Sequence, residues 1–155
     1  MSIPQMDWGT QFRAFFEARQ DEIAHILDAG GCRECWLQGE FYLAFRDKCL
    51  KTNVTSKKYD LRCEADGVRP MIAEIKICGG DYSPKMQGYI EDDVRKLVSA
   101  GSAFERYMIL VIDTRIGSKL RKWLSNFCPD VLHEKVLDAE SEKFTVRIWK
   151  ITASH

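Results

Sequence analysis

Two short runs decide how this chain reads: Lys58-Tyr59-Asp60-Leu61-Arg62-Cys63 and Met71-Ile72-Ala73-Glu74-Ile75-Lys76-Ile77. Both have strand character, and Ala65-Asp66-Gly67 between them carries turn chemistry, so together they predict a β-hairpin. Successive side chains of a strand point to opposite faces. Glu74 and Lys76 therefore share one face with Ile72 and Cys78, while Met71, Ala73, Ile75 and Ile77 take the other. An acid and an amine set among apolar neighbours lose hydration unless they pair or bind a metal, so their placement calls for a reason.

The register of the hairpin decides whether Asp60 belongs with them. A two-residue Asp-Gly turn places Ala65 opposite Val68 and Asp60 opposite Ala73, pointing away from Glu74. A three-residue loop with Gly67 in the left-handed conformation instead places Glu64 opposite Val68 and Asp60 opposite Ile72. The second register unites Asp60, Glu74 and Lys76 on one face, with Asp60 a diagonal neighbour of Glu74.

Working outward, Phe12, Phe15, Phe16, Ile23, Ile26 and Leu27 fall at helical spacing and predict one amphipathic helix from Thr10 to about Asp28, closed by Gly30-Gly31. A second helix is expected from about Arg33 to Cys49, with Trp36, Leu37, Phe41, Leu43, Ala44 and Phe45 giving a wide apolar face. A short strand is expected within 51–56. Gly79-Gly80 ends the hairpin, and Ser83-Pro84 predicts the start of a helix running to about Ala100, with Met86, Ile90, Val94, Leu97 and Val98 as its buried stripe. Arg106 to Asp113 reads as a buried strand, Ser118 to Asn126 as a helix and Phe144 to Thr152 as a last strand.

With 155 residues, of which 45% are hydrophobic, the chain suits one domain spanning 1–155. Neither a basic start followed by an apolar run nor a stretch of roughly 20 apolar residues is present, which predicts a cytoplasmic protein without membrane contact. Cys32, Cys35, Cys49, Cys63, Cys78 and Cys128 are then expected as reduced thiols. Lys+Arg and Asp+Glu are equal at 23 each, so the chain as a whole lacks the basic footprint of a nucleic-acid binder. Local basic clusters remain at Lys48, Lys51, Lys57 and Lys58, and at Arg115, Lys119, Arg121 and Lys122; the plain alternative for each is a solvated face.

Two carboxylates on adjacent strands with a lysine two residues beyond the second suit Mg²⁺-assisted hydrolysis of a phosphodiester. Mg²⁺ favours oxygen ligands in octahedral geometry, and two carboxylates plus a main-chain carbonyl leave positions for phosphate and water. A lysine ammonium there can stabilise charge on the attacked phosphate.

Asp60, thirteen intervening residues, then Glu74-Ile75-Lys76 resembles the signature of the PD-(D/E)XK nuclease superfamily. The resemblance covers roughly residues 33 to 113 in element order. It implies an α/β, restriction endonuclease-like fold: a mixed central β-sheet flanked by helices, with an αβββαβ core and here an extra N-terminal helix. It further implies Asp60 and Glu74 as metal ligands, the carbonyl of Ile75 as a third, Lys76 as the catalytic lysine and Glu40 as an accessory ligand. Tyr59 stands where the proline that names the motif would be. The function so implied is a Mg²⁺- or Mn²⁺-dependent nuclease, DNA being the favoured substrate. The alternative is a catalytically inactive nuclease-fold protein acting through a protein partner. Lys85, Gln87, Lys57 and Lys58 are the candidate contacts to nucleic acid, and a homodimer or a partner protein would enlarge the recognition surface.

Other constellations carry less. Cys32-Arg33-Glu34-Cys35 has the spacing of half a zinc site or a redox pair, with no second pair following; His25 is its only nearby histidine in sequence. Asp92 and Lys96 have the spacing of a helical ion pair, although Asp92 and Asp93 also lie near the expected site.

Overall fold

The computed structural model describes residues 7–30, 33–48, 50–52, 59–65, 67–79 and 85–152. Three helices come first: α1 (Trp8–Ala18), α2 (Gln20–Ala29) and α3 (Arg33–Phe45), the last followed by a 3-10 turn at Arg46–Lys48. Strands β1 (Leu50–Thr52), β2 (Leu61–Ala65) and β3 (Val68–Cys78) follow, then α4 (Met86–Ser99), β4 (Glu105–Asp113), α5 (Ser118–Asn126), β5 (His133–Glu140) and β6 (Phe144–Ile151). The strands form one mixed, open, six-stranded sheet in the order β1-β2-β3-β4-β6-β5. Only β3 and β4 run parallel, with α4 between them in the chain. The protein is therefore α/β. No helix among the described residues is long and apolar enough to cross a membrane.

The alternation of β3 sorts its residues as the sequence predicts. Met71, Ala73, Ile75 and Ile77 join the core beneath α1, α2 and α3, whereas Ile72 and Cys78 join a second core beneath α4 and α5. The first core is dense in aromatic rings: Phe12 meets Trp8, Phe41, Phe45 and Tyr107 at centroid distances between 5.3 and 6.3 Å, and Phe15 stacks on Phe41 at 4.0 Å. In the second, Ile90, Val94 and Leu97 of α4 pack with Leu120 and Leu124 of α5 on Met108, Leu110 and Ile112. Arg106, 2% exposed, donates to the carbonyls of Leu97 (3.5 Å) and Val98 (3.3 Å) and so secures the C-terminal end of α4 to the sheet.

Four expectations change. The N-terminal helix is broken at Arg19 (φ −124°), although the apolar phase of Phe12 and Phe16 continues into Ile23 and Leu27. Arg19 stacks its guanidinium on Phe15, 4.3 Å from the ring centroid, and donates to the Phe15 carbonyl. On α3 the buried residues are Leu37, Phe41 and Phe45, with Trp36 and Ala44 packed partly buried beside them, while Leu43, expected on the same face, is exposed. The edge strand β5 has no counterpart in the sequence reading, because its one buried side chain, Leu137, gives no alternating pattern. The expected helix start at Ser83-Pro84 lies outside the described residues, as does most of 51–56.

The fourth change is the hairpin register. Ala65 pairs with Val68, so the link is two residues long, with Gly67 at φ +77°. Beyond the turn, however, Cys63 pairs with Met71, Arg62 with Ile72 and Leu61 with Ala73. Arg69 and Pro70 of β3 thus face the single residue Glu64 of β2, a β-bulge. Pro70 has no N–H to give to a ladder, which makes it a fitting bulge residue. The bulge restores the parity that the short turn alone would break. Carried one residue further, the register sets Asp60 directly across from Glu74 rather than across from Ile72 or Ala73.

Phe12→Ala should lower the unfolding free energy by about 3–5 kcal/mol, since it empties the middle of the aromatic core. Leu43→Ala, at a position 57% exposed, should stay within about 0.5 kcal/mol of wild type in the same urea titrations.

Candidate functional site

β3 overruns β2. Among the described residues its β2-side edge meets no strand past Ala73, and side-chain carboxyls take the N–H groups there: Ile75 donates to Asp60 Oδ2 (2.8 Å) and Ile77 to Glu34 Oε1 (3.2 Å). A strand residue directs its N–H and C=O toward the same neighbour, so the Ile75 carbonyl also faces this edge. Gln38 Nε2 donates to the other Asp60 oxygen at 3.2 Å. Glu34 and Gln38 are one helical turn apart on α3, which fixes both over the edge.

From the opposite side comes α4. Asp93 and Lys96 flank its buried stripe, and both point at β3: Lys76 Nζ lies 3.1 Å from Asp93 and 4.0 Å from Glu34, while Lys96 Nζ contacts Glu74 Oε1. Lys96 also lies 5.4 Å from the centre of the buried Tyr59 ring. Four carboxyls, those of Glu34, Asp60, Glu74 and Asp93, thus share two ammonium groups. Glu74 Oε1 and Asp93 Oδ2 are both buried, the first met by the Lys96 ammonium and the second by that of Lys76.

The electrostatics follow from burial and from that surplus of acid. Glu74, 2% exposed, is pushed up to about 8, first by desolvation and then by its hydrogen bond to Asp60 and the charge there; Lys96 only partly offsets this. Desolvation also raises Glu34 and Asp93 above the ordinary carboxylate range, against the pull of Lys76. Burial alone would depress Lys76, but Asp93 and Glu34 outweigh it and hold the ammonium above the usual lysine value. Lys76 is therefore a fixed cation at neutral pH, and Glu74 holds a proton it can give up.

Of the residues singled out in the sequence, Asp60, Glu74, the Ile75 carbonyl and Lys76 meet at one edge. Glu40 does not join them: it lies on the other flank of the α3 stripe, with Arg19 at 3.9 Å, and Glu34 stands in the place foreseen for it. Gln87 faces away from the cluster, on the opposite flank of α4, and Lys85 is exposed just before that helix. Lys57 and Lys58 lie outside the described residues, as does Cys32; Cys35 and His25 are exposed. Glu34 and Gln38 went unrecognised in the sequence, while Asp93 was noted near the expected site but passed over for an ion pair between Asp92 and Lys96. The signal for Asp93 and Lys96 was available: residues that border a buried stripe face inward, and Asp92, on the outer crest of α4, pairs with Arg95 instead of Lys96.

Among the described residues no group of three or more His, Cys, Asp or Glu side chains converges to hold a metal ion, because the acids are turned toward lysines and backbone N–H groups. The donor chemistry nevertheless suits a hard cation. Asp60, Glu74 and the Ile75 carbonyl offer only oxygen, and the buried Glu74 Oε1 already rests against a positive charge, that of Lys96.

In metal-free buffer the folded protein holds the Glu74 proton more tightly than the unfolded chain, at about 8 against an ordinary 4.5. The resulting stabilisation is full below about pH 4.5 and is lost as pH rises through about 8, on the order of a few kcal/mol in all. Urea titrations from pH 5 to 9 should show this decline in wild type, and Glu74→Gln should flatten it.

No protein-family model matches the chain, and no curated protein or solved structure is detectably similar to it.

Proposed function

We propose that the protein is a metal-dependent nuclease that hydrolyses phosphodiester bonds of nucleic acid, with DNA the favoured substrate. The observation that carries this reading is the placement of Asp60, Glu74 and Lys76 at the edge of β3 beyond Ala73, where Asp60 accepts from the Ile75 N–H and Asp93 holds the Lys76 ammonium. The run α3-β1-β2-β3-α4-β4, antiparallel through β3 and then parallel, supports a restriction endonuclease-like core within the observed α/β sheet. On that reading α1, α2, α5, β5 and β6 are additions around it.

Asp60, Glu74 and the Ile75 carbonyl would hold a Mg²⁺ or Mn²⁺ ion. When bound, such an ion supplies charge to offset the phosphate and eases deprotonation of water. The chain's own residues do the rest. Glu74 surrenders its proton and its contact with Lys96, and the surplus of carboxyls at the edge favours that exchange. Lys76 is the catalytic lysine: its ammonium, held by Asp93 and Glu34, donates to the phosphate as negative charge grows there. Glu34 and Asp93 act through Lys76 and are positioning residues. Gln38 orients Asp60 by holding its second oxygen.

A second reading has one observation in its favour. The Lys96 ammonium rests on the buried Glu74 carboxyl, where it supplies the positive charge a metal ion would otherwise bring. A protein that keeps this arrangement permanently would be an inactive nuclease-fold member working through a protein partner.

A cleavage screen over single- and double-stranded DNA and RNA with Mg²⁺ or Mn²⁺ should show activity in wild type. Asp60→Asn and Lys76→Ala should each reduce it by at least about a hundredfold without changing the circular dichroism spectrum. Retention of full activity by Lys76→Ala would sink the mechanism. Lys96→Met separates the two readings: with the competing ammonium gone, Mg²⁺ should raise the melting temperature at lower concentration than in wild type. No response to either ion in wild type or in Lys96→Met would favour the inactive reading.

A further inference from the structure

On the flank of α4 away from the acidic cluster, a cleft of about 900 Å³ opens between α4, α5 and residues 127–131. That volume is within the roughly 300–1,000 Å³ of sites that hold small organic groups. Its wall on α5 combines a flat ring with two cations. Trp123 is half-buried and stacks on Phe127 at 4.9 Å and 28°, and Phe127 in turn meets the buried Trp149 edge-on at 5.4 Å. The ring at the surface is thus backed by aromatic contacts reaching into the core. Lys119 and Lys122 lie one turn apart beside it, both exposed and with no ion pair among the described residues. Glu91 and Asp130 also line the cleft, and Arg95 on the facing wall is paired with Asp92, which leaves Lys119 and Lys122 as the cations beside the ring.

We propose that this cleft holds one unpaired nucleotide of a single-stranded stretch of the substrate, its base against Trp123 and its phosphate between Lys119 and Lys122. The inference rests on the nuclease reading for the choice of nucleic acid as the occupant. An aromatic platform flanked by cations is how proteins hold single strands without regard to sequence, since every base offers a π-face. A duplex is excluded from the same contact because its bases are already stacked on one another. The cleft and the Asp60–Glu74 edge flank a single helix, so about 10–12 Å of α4 separates them. Gly88, exposed on the outer crest of α4, has no atom of the described residues within 4 Å of where a Cβ would stand. The nucleotide in the cleft is therefore not the one whose bond is cut.

Fluorescence anisotropy of a labelled oligothymidylate, in EDTA so that nothing is cleaved, reads the cleft apart from the chemistry. Wild type should bind it, and Trp123→Leu, which keeps apolar bulk on α5, should weaken binding about ten- to a hundredfold with an unchanged melting curve. In a second variant, Lys119→Ala with Lys122→Ala, the slope of log affinity against log salt should fall by roughly 0.7, the value for one phosphate contact on a single strand. Binding that survives both variants unchanged overturns the proposal, as does a duplex of the same length that competes equally well. A concentration-dependent dimer in sedimentation that Trp123→Leu dissolves would assign the cleft to a second copy of the chain and overturn it too. Absence of cleavage by wild type in Mg²⁺, with oligothymidylate binding intact and lost in Trp123→Leu, removes the nuclease reading alone and leaves the cleft as a single-strand site.

Discussion

Both faces of β3 are buried, one beneath α1, α2 and α3 and the other beneath α4, so its parity cannot change without exchanging Glu74 and Lys76 for the apolar set. Leu61 and Cys63 of β2 must therefore lie level with residues of the Met71, Ala73 set. A two-residue link joins residues of the wrong parity, and the extra residue at Arg69-Pro70 corrects it. The position of Asp60 across from Glu74 follows from this packing. Burying Leu61, Met71, Ile75 and Ile77 is worth about 1.5–3 kcal/mol each. The cost of keeping Glu74 out of water beside Asp60 is on the order of a few kcal/mol in total, so the core decides.

How much of this was legible depends on whether a signal lay in periodicity. The alternation of β3, the stripe of α4 and the bounds of α5 are written in the spacing of apolar residues. That Glu74 and Lys76 share one face was also legible, since strand alternation demands it, whereas the membership of Asp60 depended on the hairpin register. The route to that register was not legible: a three-residue loop and a two-residue turn with a bulge give the same faces, and only Pro70 in the strand distinguishes them. The break at Arg19 left no trace because the apolar phase runs through it. Glu40 illustrates a different limit. An acid on α3 belongs at the site, but which flank of the helix faces the edge is set by how Leu37, Phe41 and Phe45 seat on the sheet, and that placed Glu34 there.

The two lysines of the cluster differ in what holds them. Lys76 springs from the central strand and is gripped by acids from α3 and α4, so its charge is fixed by two elements at once. Lys96 comes from α4 alone, at the end of a long, flexible stem, and its partner is a carboxyl that sheds its proton near neutral pH. One cation is built in; the other is exchangeable. This difference is the structural basis for giving them opposite parts, one in catalysis and one in competition with a metal.

The hold of Arg106 on the Leu97 and Val98 carbonyls has a mechanical consequence. A stiff rod secured at one end displaces its points in proportion to their distance from that end. Lys96 sits next to the anchorage in sequence, whereas Met86 lies roughly 17 Å away at 1.5 Å per residue. A small tilt of α4 would leave the Glu74 contact nearly untouched while opening or narrowing the space beside Gln87 several times as much. Leverage of this kind lets one side of the helix adapt its width to a guest while the other keeps its atoms in register.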